Sequence, residues 1–150
     1  MHIVRIILAL GFMVSASLSN AADGLITLQS PYSAEQTLQR LEQQVVQRNL
    51  SIFARIDHAA GAAKVGRTLR PTVLLVFGNP RGGTPFMQCA QTVGIDLPLK
   101  VLVWADAIGQ VRLGYNDPAF IARRYGVENC SVVDKLARAL DAITTATVGE

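Results

Sequence analysis

Apolar and polar positions follow two rhythms along this chain, one of period two and one close to 3.6, and the switches between them mark the elements. A short alternating strand over 24–29 places Leu25, Thr27 and Gln29 on one side. Ala34, Leu38, Leu41 and Val45 then recur at helical spacing, with Glu and Gln residues on the other side. Ser33 and Gln36 stand at the spacing of a capping box ahead of that stripe, and Asn49 is a suitable stop. The segment "LSIFARIDH" returns to period two, with Ile52, Ala54 and Ile56 expected on one face. "AAGAAKVG" predicts one or two helical turns interrupted by glycine, and the continuous apolar run of "PTVLLVFG" predicts a buried strand.

The second half repeats the pattern. Thr84-Pro85 predicts a helix running to about Val93, with Thr84 as N-cap and Pro85 at the first helical position. "LPLKVLVWAD" and "QVRLGYND" read as two strands joined by a hairpin-length "AIG". In the first of them Lys100, Leu102 and Trp104 fall on one face, and Leu99, Val101 and Val103 form an aliphatic face suited to the core. Asp117-Pro118 starts a short helix that stops at Gly126. Ser131 is placed to cap a last helix with the stripe Val133, Leu136, Leu140 and Ile143. That stripe suits either the core or a contact with a second copy.

Several strands lie too close in sequence for crossover connections, so the sheet is expected to be largely antiparallel. The fold class is α+β: a sheet with helices packed on one face, in the order strand, helix, strands, helix, with short helical insertions.

The first residues change the picture of where the chain works. "MHIVRIILALGFMVSASLSNAADG" has a basic start, a short apolar run, and Ser19 and Ala21 placed for a cut before Ala22. Residues 1–21 are therefore expected to be a secretory signal peptide, and 22–150 one α+β domain that is exported to a periplasmic or extracellular location. An uncleaved N-terminal anchor is the rival reading. Removing Arg5 lowers the formal net charge of +3 by one. That small surplus is spread along the chain without a basic cluster, so no nucleic acid is expected as a partner, and no membrane after signal removal. In an oxidising compartment Cys89 and Cys130 form a possible disulfide; the other reading is two separate buried thiols.

Three stretches carry a family likeness: "IDHAAGAAKVG", "LRPTVLLVFGNPRGGTPFMQ" and "IDLPLKVLVWADAIGQVRLGYNDPAFIARRYGV". Together they resemble the family called domain of unknown function 302, over nearly the whole mature chain. The resemblance implies a compact α+β fold of the TATA-box-binding-protein-like kind, often dimeric, so a homodimer is expected. It implies no activity. Cys89 and Cys130 are not hallmarks of the family, so thiol chemistry would be particular to this chain.

Candidate chemistry is sparse. Gly78 to Thr84 reads G-x-x-x-x-G-T, a phosphate-cradling loop without its lysine, and Pro85 removes a further N–H, so nucleotide hydrolysis is not expected. The loop still suits either a small anion at a helix start, with Arg81 adding charge, or a pair of tight turns. After processing one histidine remains, His58: a lone general base, or a strand-end residue satisfied by backbone. A histidine-rich metal site is excluded by count, the cysteines lack metal-ligand spacing, and no metal or particular cofactor is assigned. Asn79, Thr84, Asp96, Lys100 and Asn116, with Tyr115 beside them, are expected to gather into a polar pocket beside the sheet. The expected function is that of an exported domain binding a small polar or anionic ligand there. The alternatives are a small enzyme using His58, Lys100 and Asp96 as acid–base groups, and a thiol redox or metal-handling protein using Cys89 and Cys130.

Overall fold

A computed structural model describes residues 24–149; the expected signal peptide and its cut before Ala22 lie outside the described residues. Five strands form one sheet: β1 (Leu25–Gln29), β2 (Ser51–Asp57), β3 (Thr72–Gly78), β4 (Leu99–Ala105) and β5 (Val111–Asn116). Their order is β1-β5-β4-β3-β2, and every neighbouring pair is antiparallel. The helices are α1 (Ala34–Gln47), α2 (His58–Lys64), α3 (Pro80–Cys89), α4 (Pro118–Arg124) and α5 (Val133–Val148), with a 3-10 turn over Gln91–Ile95 after α3. This is the α+β architecture that the two periodicities predict.

Helix α1 starts where its capping box places it. The Ser33 hydroxyl accepts from the Gln36 N–H, and the Gln36 side chain accepts from the Ser33 N–H. Its stripe of Leu38, Leu41 and Val45 is buried against one face of the sheet, beside Leu140 and Ile143 of α5. From the sheet come Leu75, Phe77, Val101, Val103, Leu113 and Tyr115, alternate residues that the pleat directs to one side. Arg40 of α1 donates to the carbonyls of Thr147 and Gly149, satisfying the open end of α5 and locking the two helices together. The α5 stripe is thus spent within the chain and is not available for a second copy. A smaller cluster, with Phe86, Val93, Ile121, Cys130 and Leu136, joins α3, α4 and the start of α5.

The opposite face of the sheet carries Ile56, Leu74, Val76, Lys100, Leu102 and Trp104, and none of these is buried.

Three local expectations are corrected. Ile52, Ala54 and Ile56 do not share a face. Ile52 pairs with Phe77 and Ala54 with Val76, so Phe53 is an extra residue, and the bulge turns the rest of β2 over. Arg55 consequently points to the helix side, where it meets Glu35 at 3.3 Å and Glu42 at 3.7 Å. Thr84 is not an N-cap. Asn79 takes that role in extended conformation, its Oδ1 accepting from the Gly82 N–H at 3.0 Å, and Pro80 occupies the first helical position. Gly82, Gly83 and Pro85 are then helical rather than turn residues, and α3 ends at Cys89. Ser131 does not cap α5; Val132 is the N-cap, already in helical conformation and without a side-chain cap hydrogen bond. Burial of Val132 and Val133 in the smaller cluster decides the position of this helix start.

Candidate functional site

Where β3 leaves the sheet, the chain enters α3 directly, and a cavity of about 420 Å³ opens beside this junction. That volume suits a small molecule. Asn79, Arg81, Gly82 and Thr84 form one wall, Pro98 and Leu99 at the entrance to β4 form another, and Leu136 and Ala139 of α5 close the third side. Leu50 and Phe53, around the start of β2, complete the rim, and Met87 of α3 also lines the cavity. The Phe53 bulge contributes to this rim, because it stands at the end of β2 that pairs with Phe77 and Gly78.

Of the glycines of "NPRGGTP", Gly82 has a packing reason. A Cβ on Gly82 would stand 3.3 Å from Leu136 Cδ2, so a side chain there would require the Leu136 side chain to shift. Pro85 cannot supply the N–H that the Arg81 carbonyl would receive in a regular helix. The lining is overwhelmingly apolar, and no Asp or Glu contributes to it. Its two charges are Arg81 and Lys135, both exposed and neither ion-paired among the described residues.

The sequence-predicted polar residues do not converge on one pocket. Asn79 and Thr84 line the cavity, although the Asn79 Oδ1 is committed to its cap. Asp96 and Lys100 form a separate knot at the entrance to β4. Lys100 Nζ donates to the carbonyls of Asp96 at 2.7 Å and Pro98 at 3.0 Å. Partial burial lowers the Lys100 pKa, and the Asp96 charge opposes that shift. Asp96 Oδ2 accepts from the Tyr125 hydroxyl at 2.7 Å, with Arg124 at 3.7 Å; that hydrogen bond is the main cause that raises the Tyr125 pKa. Asn116 is exposed at the end of β5, paired with Leu25. Tyr115 is buried in the main core, where desolvation raises its phenol and the Thr144 hydroxyl opposes the rise. His58 is exposed as the first residue of α2, after Asp57 has capped that helix through Ala60. It lies beyond the far end of β2, about 20 Å of strand away from the cavity. An acid–base set of His58, Lys100 and Asp96 is therefore not assembled.

Cys89 and Cys130 are bonded, with a Cα–Cα distance of 6.1 Å. Cys89 is on the surface and Cys130 is buried. Among the described residues no cluster of His, Cys, Asp and Glu is suited to hold a metal ion.

The profile named "Domain of unknown function DUF302" matches residues 26–143. The chain belongs to the DUF302 family. A crystal structure of an uncharacterized conserved DUF302 protein from Bacillus stearothermophilus superposes with a TM-score of 0.75 at 18% identity, covering 84% of this chain and 99% of that one. The DUF302 fold is thus shared well below the level at which sequence identity is obvious. The chain is also 42% identical over 104 residues to proteins named fluoride-specific ion channel FluC 1 in Brucella suis biovar 1 (strain 1330) and Brucella abortus biovar 1 (strain 9-941). Those 104 residues are 69% of this chain but 41% and 38% of the relatives, so the chain spans about two fifths of their length. Only residues 1–23 and 150 lie outside the described chain, so most of the aligned residues are those of the α+β domain. No helix among the described residues is long and apolar enough to cross a membrane.

Phe53, Arg81, Lys135, Leu136 and Ala139 line the cavity outside the expected polar set, although the loop reading already gives Arg81 a role as added charge. Four of them come from segments far from "GNPRGGTP", and Leu136 also belongs to the α5 stripe that reads as core. Arg81 and Lys135 do carry a signal. Each is a cation in the first turn of its helix, the end where the helix dipole disfavours positive charge.

Proposed function

We propose that this DUF302 domain is an exported small-molecule binder whose ligand occupies the cavity between α3, α5 and the entrance to β4. The observation that carries the reading is that cavity: about 420 Å³, walled by apolar side chains, with no group arranged for chemistry on its surface. The expected polar pocket becomes a mainly apolar one, and binding rather than catalysis fits its lining. Export rests on the N-terminal residue pattern, and a Cys89–Cys130 bond is stable in the compartment that export would reach.

The Brucella relatives support a role as a module. Any ion pathway of a channel would have to lie in the part of those proteins that this chain does not match. The matched part would then be an appended domain of those proteins. A homodimer, expected from the family resemblance, would need a surface other than α5; the half-buried sheet face around Trp104 is one apolar surface of that kind.

Titration with 1-anilinonaphthalene-8-sulfonate tests the reading. One molecule is expected to bind per chain with a rise in fluorescence, and Ala139→Phe, which fills the cavity, is expected to abolish the rise while leaving the circular dichroism unchanged. An equal response from a folded Ala139→Phe protein, or no response from the wild type, would overturn it.

A further inference from the structure

We infer that the ligand of this cavity is an amphiphile with an anionic head, held by Arg81 and Lys135 at the mouth with its apolar body inside. The inference rests on the binding reading above and specifies its chemistry. The walls supply Leu50, Phe53, Met87, Leu97, Leu136 and Ala139, which suit an alkyl or aryl body. The charges at the mouth are of one sign, and no carboxylate of the lining neutralises them.

Their placement opposes local helix preference. Arg81 follows Pro80 at the start of α3, whose first turn has no acidic residue. Lys135 is the third residue of α5, whose N-cap offers no side-chain hydrogen bond. Cations weaken a helix start, and surface arginines and lysines usually find an acidic neighbour or the other end of a helix. Arg81 has no acidic residue in its turn, and Lys135 follows Asp134 but makes no ion pair with it; two unpaired cations at helix starts on one cavity break a local rule in the way functional sites do. The start of α3 lies in the lining, so its dipole adds to the field of the two side-chain charges, whereas Asp134 in the first turn of α5 works against it. The apolar walls set the rest of the selectivity, since a small inorganic anion would leave them wet.

The lining has no acidic group, and Thr84 is its one hydroxyl, which separates this ligand from a sugar or a nucleoside, since those need several directed polar partners. A carboxylate, sulfonate or phosphate head on an apolar body shares the required chemistry.

Octanoate and 1-octanol, equal in chain length and different in charge, make the test, with binding read from the amide shifts of Gly82 and Gly83 in two-dimensional NMR. Octanoate is expected to bind at least ten-fold more tightly than octanol at low salt, with the advantage shrinking as salt rises. The Arg81→Ala/Lys135→Ala protein is expected to lose that advantage and to keep its affinity for octanol, which shows that the cavity is intact. Arg81→Lys/Lys135→Arg is expected to restore it. Equal binding of the two probes by the wild type would overturn the charged-head inference and leave the cavity reading standing. Binding of neither would overturn both.

Discussion

Cys89, in the last turn of α3, is bonded to Cys130, in the loop ahead of α5, and both of these helices line one cavity. The bond therefore does more than shorten the unfolded chain. It holds the distance between the surfaces that a ligand would touch. Its sequence separation of 41 residues corresponds to about 3–4 kcal/mol of stabilisation in the chain-entropy account. Cys89→Ser/Cys130→Ser is expected to lower the free energy of chemical denaturation by about that amount. It is also expected to weaken anilinonaphthalene-sulfonate binding. An unchanged denaturation midpoint would show that the bond contributes nothing to the folded state.

Asn79 links the fold to the cavity through one hydrogen bond. Its Oδ1 holds the Gly82 N–H, and so fixes the turn of α3 that packs against Leu136. Asn79→Ala is expected to cost about 1 kcal/mol, the usual effect of losing a cap. Asn79→Asp or Asn79→Ser is expected to restore most of it. Thr84→Ala, by contrast, removes no cap and should leave the denaturation curve in place. A larger loss from Thr84→Ala than from Asn79→Ala would contradict the observed helix start.

Two aliphatic residues of α1 test where the core is. Leu41 is fully buried between α1 and the sheet, whereas Val46 is exposed on the same helix. Leu41→Ala is expected to destabilise by about 2–5 kcal/mol. Val46→Ala should stay within about 0.5 kcal/mol of the wild type. Urea titrations of the two variants measure the contrast, and similar losses would argue against the packing of α1.

The β4–β5 hairpin carries a pH signature. Asp106 Oδ1 accepts from the N–H groups of Ile108 and Gln110, and Oδ2 accepts from Arg112 Nε at 2.7 Å. The Arg112 hydrogen bond is the largest cause holding the Asp106 pKa below its ordinary value. A carboxylate depressed in the folded state stabilises fully above its unfolded pKa of about 3.9 and loses that contribution as pH falls through its folded value. The thermal midpoint of the wild type is therefore expected to drop below about pH 4 more steeply than that of Asp106→Asn. Parallel pH profiles for the two proteins would show that the hairpin contacts do not titrate.

Much of the fold was legible because local and long-range signals agree. The α1 stripe coincides with its capping box, and β4 alternates cleanly between Val101 and Val103 inside and Lys100 and Leu102 outside. Legibility failed where two local solutions compete. Asn79-Pro80 and Thr84-Pro85 are both cap-plus-proline pairs within seven residues, and the folded chain shows that the first begins the helix, through the Asn79 cap on Gly82. In β2 an inserted Phe53 leaves no mark in composition, so the strand reads as regular. The site was half legible for a related reason. "GNPRGGTP" does border the cavity, but its apolar walls come from Phe53, Leu136 and Ala139, which look like ordinary packing until the chain is folded. Reading polar residues alone gathered Asp96, Lys100 and Asn116 into a pocket that the structure distributes over separate places.

The Phe53 bulge has one more effect, on how the molecule behaves in a crowd. β2 is an outer strand, and a regular outer strand offers its free backbone groups to any extended chain that passes. The inserted residue breaks the spacing of those groups between Ile52 and Ala54, so a second strand cannot zip along the whole length of β2. With Ile52, Phe53 and Ile56 all exposed along this strand, a straight edge would be a sticky one. The kink lets the chain keep apolar side chains beside its cavity without turning that border into a seed for fibrous growth.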